Sequence, residues 1–146
     1  MTESKRPAHY NIYPVQPVEI SKYLGFCLGN VVKYILRSPF KGTPQEDCQK
    51  ALEYLRWEME SPHESTPVHD LGEALGAISR LREYLAREVK ESKMQDSYAL
   101  YTQHFLNELE GYLTSGASEH LKQMQTTISR LQTILVRRAE EGEAPV

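Results

Sequence analysis

The sequence has few of the features that mark secreted, membrane or disulfide-stabilised proteins. Among its 146 residues only Cys27 and Cys48 are cysteines, and their spacing matches no metal or redox motif. No apolar run approaches the roughly 20 residues that a membrane span requires, and the first residues lack the apolar segment of a signal peptide. These absences predict a cytoplasmic protein without a disulfide and without a membrane partner.

An excess of positive charge is also missing. The chain carries 17 Lys and Arg residues against 20 Asp and Glu residues, with the two signs interspersed, for a formal net charge of -3. A nucleic-acid binder usually shows a basic patch or stripe, so the sequence gives no strong nucleic-acid signal. Any site for an anion must therefore be local.

What the sequence does contain is helical periodicity, which predicts an all-α fold. Residues 7 to 16 combine aromatic residues with prolines and lack this period, so we expect a short N-terminal arm packed on the body. Helices are expected over residues 17 to 24, over residues 26 to 38 and from residue 44 onward. The third helix is expected to begin with a capping box. Thr43 is its N-cap, Pro44 takes the first helical position and Glu46 takes the third.

A polar, proline-bearing stretch at residues 61 to 67 predicts a boundary between two regions. Three longer antiparallel helices are expected beyond it, starting near Thr66, Asp96 and Ser118. The last has apolar residues at alternating spacings of three and four, close to a heptad: Leu121, Met124, Ile128, Leu131 and Leu135. The sequence thus predicts a module at 1–60, a helical hairpin or oligomerisation region at 61–146, and a homo-oligomer.

The second expected helix carries the clearest candidate for a binding site. Asn30, Lys33 and Arg37 fall at positions i, i+3 and i+7, so an amide and two cations share one helical face that could bind phosphates. Gly29 costs a helix about 1 kcal/mol relative to alanine, which suggests that a backbone or a ligand approaches closely there. The alternative is a solvated basic stripe with a packing glycine.

A second polar stripe lies on the third helix, at Asp47, Lys50 and Tyr54. If the two helices form a hairpin, this stripe borders the first. Asp47 would then orient a cation or act as a catalytic base, and Lys50 would add positive charge to the binding site. An ion pair within or between the helices is the alternative.

Three residues outside these helices complete the predicted site. His9 is a candidate for catalysis, because histidine can shuttle a proton near neutral pH, and Tyr10 could stack on a base. The alternative for His9 is a structural histidine of the arm whose polar groups are satisfied by the core. Lys41 could reach a phosphate as a mobile charge, although the surrounding Phe40-Lys-Gly-Thr43 is no Walker loop. Histidines and acids near residues 63 to 73 fit no standard metal spacing, so no metal site is predicted.

These residues together resemble a known family. The motifs are His9-Tyr10, Pro17-Val-Glu19-Ile, Gly25-Phe-Cys-Leu-Gly-Asn30, Lys33-Tyr34-x-Leu-Arg37, Lys41 and Asp47-x-x-Lys50-Ala-x-x-Tyr54-Leu. Over about residues 7 to 60 they resemble the small phage domain labelled SaV-like, which is related to the unorthodox nucleotide kinases of podophages. Residues 61 to 146 resemble no family.

The resemblance implies a phage protein of the host cytoplasm that transfers a phosphoryl group from a nucleoside triphosphate to a deoxynucleoside monophosphate. Tyr10, Asn30, Lys33, Arg37, Lys41, Lys50 and Tyr54 would bind substrate. The chain departs from the family's usual Arg-Ala-Gly-x-Lys by reading Arg37-Ser-Pro-Phe-Lys41, which stiffens the loop. Two alternatives therefore stay open: a non-catalytic sponge that sequesters a host immune signalling nucleotide, and a helical interaction protein.

Overall fold

The computed structural model describes residues 13–40, 42–61, 70–91 and 96–141. Its helices are α1 (Pro17–Ser21), α2 (Phe26–Arg37), α3 (Pro44–Glu60), α4 (Leu71–Glu91), α5 (Asp96–Ser115) and α6 (Glu119–Glu140). No residue within these ranges lies in a strand, so the predicted all-α class is confirmed. Over the same ranges, none of the helices combines the length and the apolar character needed to cross a bilayer.

The starts and ends of the first helices follow local chemistry. α1 begins at Pro17, and the backbone N–H of Gln16 donates to Glu19 Oε2 at 2.9 Å, which caps the first turn. α1 ends at Ser21, three residues before the predicted end. α3 begins at Pro44 as predicted, but the Thr43 side chain makes no capping hydrogen bond, so the predicted capping box is wrong.

The helices pack around one core. The helices in contact are α1 with α2, α2 with α3, α3 with α6, α6 with α5, α5 with α4, and α4 with α1. These contacts form a closed ring of neighbouring helices. Buried side chains from both sides of the predicted boundary at 61–67 belong to a single hydrophobic cluster. The helical region after the boundary therefore supports the module before it.

The near-heptad row on α6 is part of that core. Leu121, Met124, Ile128 and Leu131 are fully buried, and Leu135 is 4% exposed. α3 and α5 of the same chain pack against α6. Because the row is already covered within one chain, it no longer supports the predicted homo-oligomer.

A group of tyrosines ties the segment before α1 to the rest of the fold. The Tyr13 hydroxyl donates to the carbonyl oxygen of Leu36 at 3.0 Å and lies 3.5 Å from the Tyr98 hydroxyl. The Phe40 ring meets both tyrosine rings edge to face. Residues 7–12 of the predicted arm lie outside the described residues, but its described end is packed on the body as expected.

Burial of these hydroxyls predicts a loss of stability at alkaline pH. Burial raises the pKa of Tyr13 and of Tyr98 well above the usual value, and it raises the pKa of the Cys48 thiol to about 12. The unfolded chain therefore releases these protons at a lower pH than the folded chain does. This contribution to stability is complete below about pH 9 and is lost progressively above it, at up to roughly 1.4 kcal/mol per group and pH unit.

Denaturant titrations at about pH 8 and about pH 10.5 should show this loss, with tyrosinate absorbance as a second readout. Of the nine tyrosines, at least Tyr13 and Tyr98 should ionise only as the chain unfolds. The matched variant Tyr13→Phe should lack one late-ionising group. Ionisation of all nine near pH 10 in a chain that stays helical would contradict the burial argument.

Candidate functional site

α2 and α3 pack as the predicted hairpin, and three cations surround one tyrosine on its surface. The Tyr34 ring centroid lies 5.2 Å from Lys33 Nζ, 5.5 Å from Arg37 Cζ and 5.5 Å from Lys50 Nζ. Cations are attracted to the electron-rich face of an aromatic ring at such distances. We call Tyr34, Lys33, Arg37 and Lys50 the cation cluster. It joins two of the predicted phosphate-binding residues of α2 to one of α3.

An aromatic row borders the cation cluster. The Tyr54 ring stacks on Tyr34 at 6.1 Å with an interplanar angle of 12°, and Tyr54 meets Phe26 and Trp57 edge to face at 5.5 and 5.3 Å. Phe26 is 64% exposed and Trp57 is 47% exposed. Exposed aromatic faces beside cations are what nucleotide bases and phosphates bind. A surface cluster that only packs with itself is the structural alternative.

Asp47 lies beneath this surface. The residue is 2% exposed, and its Oδ1 lies 3.3 Å from Arg37 Nε. A buried carboxylate needs a partner that offsets its desolvation, and Arg37 provides a charged one. The alternative raised by the sequence, an ion pair between the helices, is therefore present. A role for Asp47 as a base stays a prediction.

A cleft of about 520 Å³ opens next to the cation cluster, between α1 and the first half of α2. It is lined by Gln16, Pro17, Val18, Ser21, Lys22, Leu24, Gly25, Phe26, Gly29, Asn30 and Lys33. We call it the α1–α2 cleft. A Cβ atom at Gly29 would lie 3.4 Å from the Ser21 carbonyl oxygen, so the chain that approaches Gly29 is the backbone at the end of α1, at ordinary van der Waals distance.

The structure divides the predicted phosphate-binding face between these two places. Asn30 lines the cleft, where its amide donates to the Phe26 carbonyl oxygen of its own helix at 2.8 Å. Arg37 and Lys50 lie at the cation cluster. Lys33 belongs to both. His9, Tyr10 and Lys41 lie outside the described residues, as do His63, Glu64 and His69.

Several residues of these surfaces were not predicted as site residues, among them Lys22, Phe26, Tyr34 and Trp57. Helical spacing could have indicated three of these. Trp57 follows Tyr54 by three positions, Phe26 precedes Asn30 by four and Tyr34 follows Asn30 by four, so each shares a face with a predicted site residue. Lys22 follows the end of α1, where no helical spacing applies.

The remaining candidates for chemistry are occupied by structural contacts. The Oε1 atom of Glu19 lies 3.6 Å from Arg80, and its Oε2 atom accepts the hydrogen bond that caps α1. The described part of the chain brings no three His, Cys, Asp or Glu side chains together in a possible metal site. With its pKa raised to about 12, the buried Cys48 thiol stays protonated at neutral pH and is a poor nucleophile.

Comparison with protein families gives a match in the first part of the chain. A family model described as a protein of unknown function (DUF3310) matches residues 4–56. This range nearly coincides with the segment on which the resemblance was based, and it contains α1, α2 and most of α3. Neither a curated protein nor a solved structure matches the chain.

Proposed function

We propose that this chain binds a nucleotide at the cation cluster and transfers a phosphoryl group from a nucleoside triphosphate to a deoxynucleoside monophosphate. The observation that carries the proposal is the position of three cations around Tyr34, directly beside an exposed aromatic row. The match over residues 4–56 covers all three cations. On this proposal, the matched segment is the SaV-like module of a phage protein that acts in the host cytoplasm.

The positive charges of the cation cluster complement the negative charges of a nucleoside triphosphate. A triphosphate carries several negative charges, and the net charge of the chain is -3, so binding needs local positive charge. Lys33 and Lys50 are exposed and free to move toward phosphate oxygens as point charges. Arg37 can offer the nitrogens of its guanidinium other than the one that faces Asp47. The base would stack on the aromatic row.

For phosphoryl transfer, the protein needs mainly to position the two nucleotides and to supply positive charge beside the transferred group. An oxygen of the acceptor phosphate forms a bond to the γ-phosphorus, and the bond from that phosphorus to the β–γ bridging oxygen breaks. The electron pair stays on the β-phosphate, so a triphosphate and a monophosphate give two diphosphates. A phosphate monoester is largely dianionic at neutral pH, and its attacking oxygen carries no proton. No general base is therefore required.

The proposed role of Asp47 is therefore not that of a catalytic base. A base is unnecessary when the nucleophile is a phosphate oxygen, and Asp47 is buried against Arg37. Its proposed part is to position the Arg37 guanidinium over Tyr34. His9 remains the other predicted catalytic residue.

A sponge that binds a signalling nucleotide without turnover is the second candidate. It is favoured by the ion pairs of Glu19 with Arg80 and of Asp47 with Arg37, which leave these two carboxylates less available to hold the Mg²⁺ of a triphosphate. The same cations and aromatic rings would bind the ligand. Turnover is what separates the two functions.

Incubation of the full chain with pairs of a nucleoside triphosphate and each deoxynucleoside monophosphate, with Mg²⁺ present, tests the proposal. Chromatography should show equal amounts of two diphosphates for at least one pair, and Lys50→Ala should reduce the rate about tenfold or more. Retention of a nucleotide without products would favour the sponge. If neither products nor retained nucleotide are found, the helical interaction protein is the remaining candidate.

A further inference from the structure

The α1–α2 cleft and the cation cluster are separate surfaces with one charged residue in common. Lys33 lines the cleft and also lies over Tyr34. Phe26 connects the cleft to the aromatic row, since it lines the cleft and its ring contacts Tyr54. Lys22 belongs to the cleft alone, and Lys50 belongs to the cluster alone. Ligands bound at the two places would therefore meet at Lys33.

The chemistry of the cleft suits a small organic phosphate. Its volume of about 520 Å³ falls in the range of roughly 300 to 1,000 Å³ that is typical of small-molecule sites. Among the residues that the structure describes, its lining includes two lysines, Lys22 and Lys33, and no acidic residue. Glu19, the acid of α1, lies against Arg80 instead.

The cleft also has groups that a nucleoside could contact. Val18 and Phe26 expose apolar surface at its wall, being 54% and 64% exposed. Gln16, Ser21 and Asn30 add amide and hydroxyl groups to the lining. Such a combination of apolar surface and a few polar groups is typical of sites that orient a planar ligand.

We propose that the α1–α2 cleft is the subsite for the acceptor nucleoside monophosphate, while the nucleoside triphosphate binds at the cation cluster. The assignment follows the number of cationic side chains among the described residues: three surround Tyr34, including Arg37 with its ion pair to Asp47, whereas two lysines line the cleft. With both sites filled, Lys33 lies between the acceptor phosphate and the transferred group. This inference rests on the proposed function, and it gives that function a second binding site.

Calorimetric titration tests the two sites with separate probes. The probes are the adenosine triphosphate analogue with an imido bridge between its β- and γ-phosphorus atoms, and each common deoxynucleoside monophosphate. Wild type should bind one analogue and one monophosphate at the same time. Lys22→Ala should weaken the monophosphate about tenfold and leave the analogue unchanged, whereas Lys50→Ala should do the reverse. Lys33→Ala should weaken both.

Lys122→Ala serves as the matched control, since it removes an exposed lysine on α6 and should alter neither affinity. The cleft proposal is overturned if the monophosphate displaces the analogue or if no monophosphate binds. It is also overturned if Lys22→Ala leaves the affinity for the monophosphate unchanged, or lowers the affinity for both ligands equally. Analogue binding that still depends on Lys50 would in that case leave the proposed function intact. If neither the analogue nor any monophosphate binds, both proposals fail.

Discussion

Replacement of Arg37 by alanine is expected to weaken nucleotide binding at least about tenfold and to lower the free energy of unfolding by roughly 1 to 3 kcal/mol. Both effects have the same origin. The guanidinium lies over Tyr34 in the cation cluster, and its Nε lies 3.3 Å from the buried Asp47 carboxylate. Loss of a partner from a fully buried pair costs more, but the Arg37 side chain is 23% exposed, so water can partly replace it.

The two effects of Arg37→Ala can be separated with a second substitution. In the double variant Arg37→Ala with Asp47→Asn, the buried charge is gone, so stability should recover in part while binding stays weak. Arg37→Lys should restore binding only partly, because an ammonium group does not reproduce the planar fork of a guanidinium. Denaturant titration and calorimetry measure the two quantities, and Arg130→Ala, at an exposed site on α6, is the control. Unchanged stability and affinity in Arg37→Ala would refute both roles.

Helical periodicity was enough to predict the fold class, because stripes of apolar residues at a spacing of 3.6 indicate which face of a helix is buried. It could not indicate what covers that face. The apolar row on α6 is equally consistent with an interface between copies of the chain and with a buried core. The packing of α3 and α5 against α6 shows that the row is part of the core. The capping box at Thr43 failed for a related reason, since the pattern permits the side-chain hydrogen bond without requiring it.

The candidate site could be predicted in part. Spacing along α2 correctly put Asn30, Lys33 and Arg37 on one side of the helix, but such a face is more than 10 Å long over about two turns and can border two different surfaces. Where α1 and α3 cross α2 decides which of these residues line the cleft and which lie near Tyr34. The central position of Tyr34 depends on Lys50 from α3, a contact that spacing within one helix cannot reveal.

Replacement of Lys33 by alanine is expected to have the largest effect on function, because Lys33 is the one lysine of the described chain that both lines the cleft and lies over Tyr34. Binding of a nucleoside triphosphate should weaken about tenfold, as expected for the loss of one charge-assisted contact. Stability should barely change, since the side chain is exposed. Lys33→Arg should retain most of the affinity, because it keeps the charge.

The surface around Tyr34 is proposed to bind nucleotide phosphates. The most direct test is calorimetric titration with the imido analogue of three proteins: wild type, Lys33→Ala and Lys122→Ala. The expected result is a saturable site in wild type and in Lys122→Ala, with a Kd about ten times higher in Lys33→Ala and an unchanged melting temperature in all three. Equal affinity in the three proteins, or no binding to wild type, would contradict the claim and leave the cations around Tyr34 as a solvated surface.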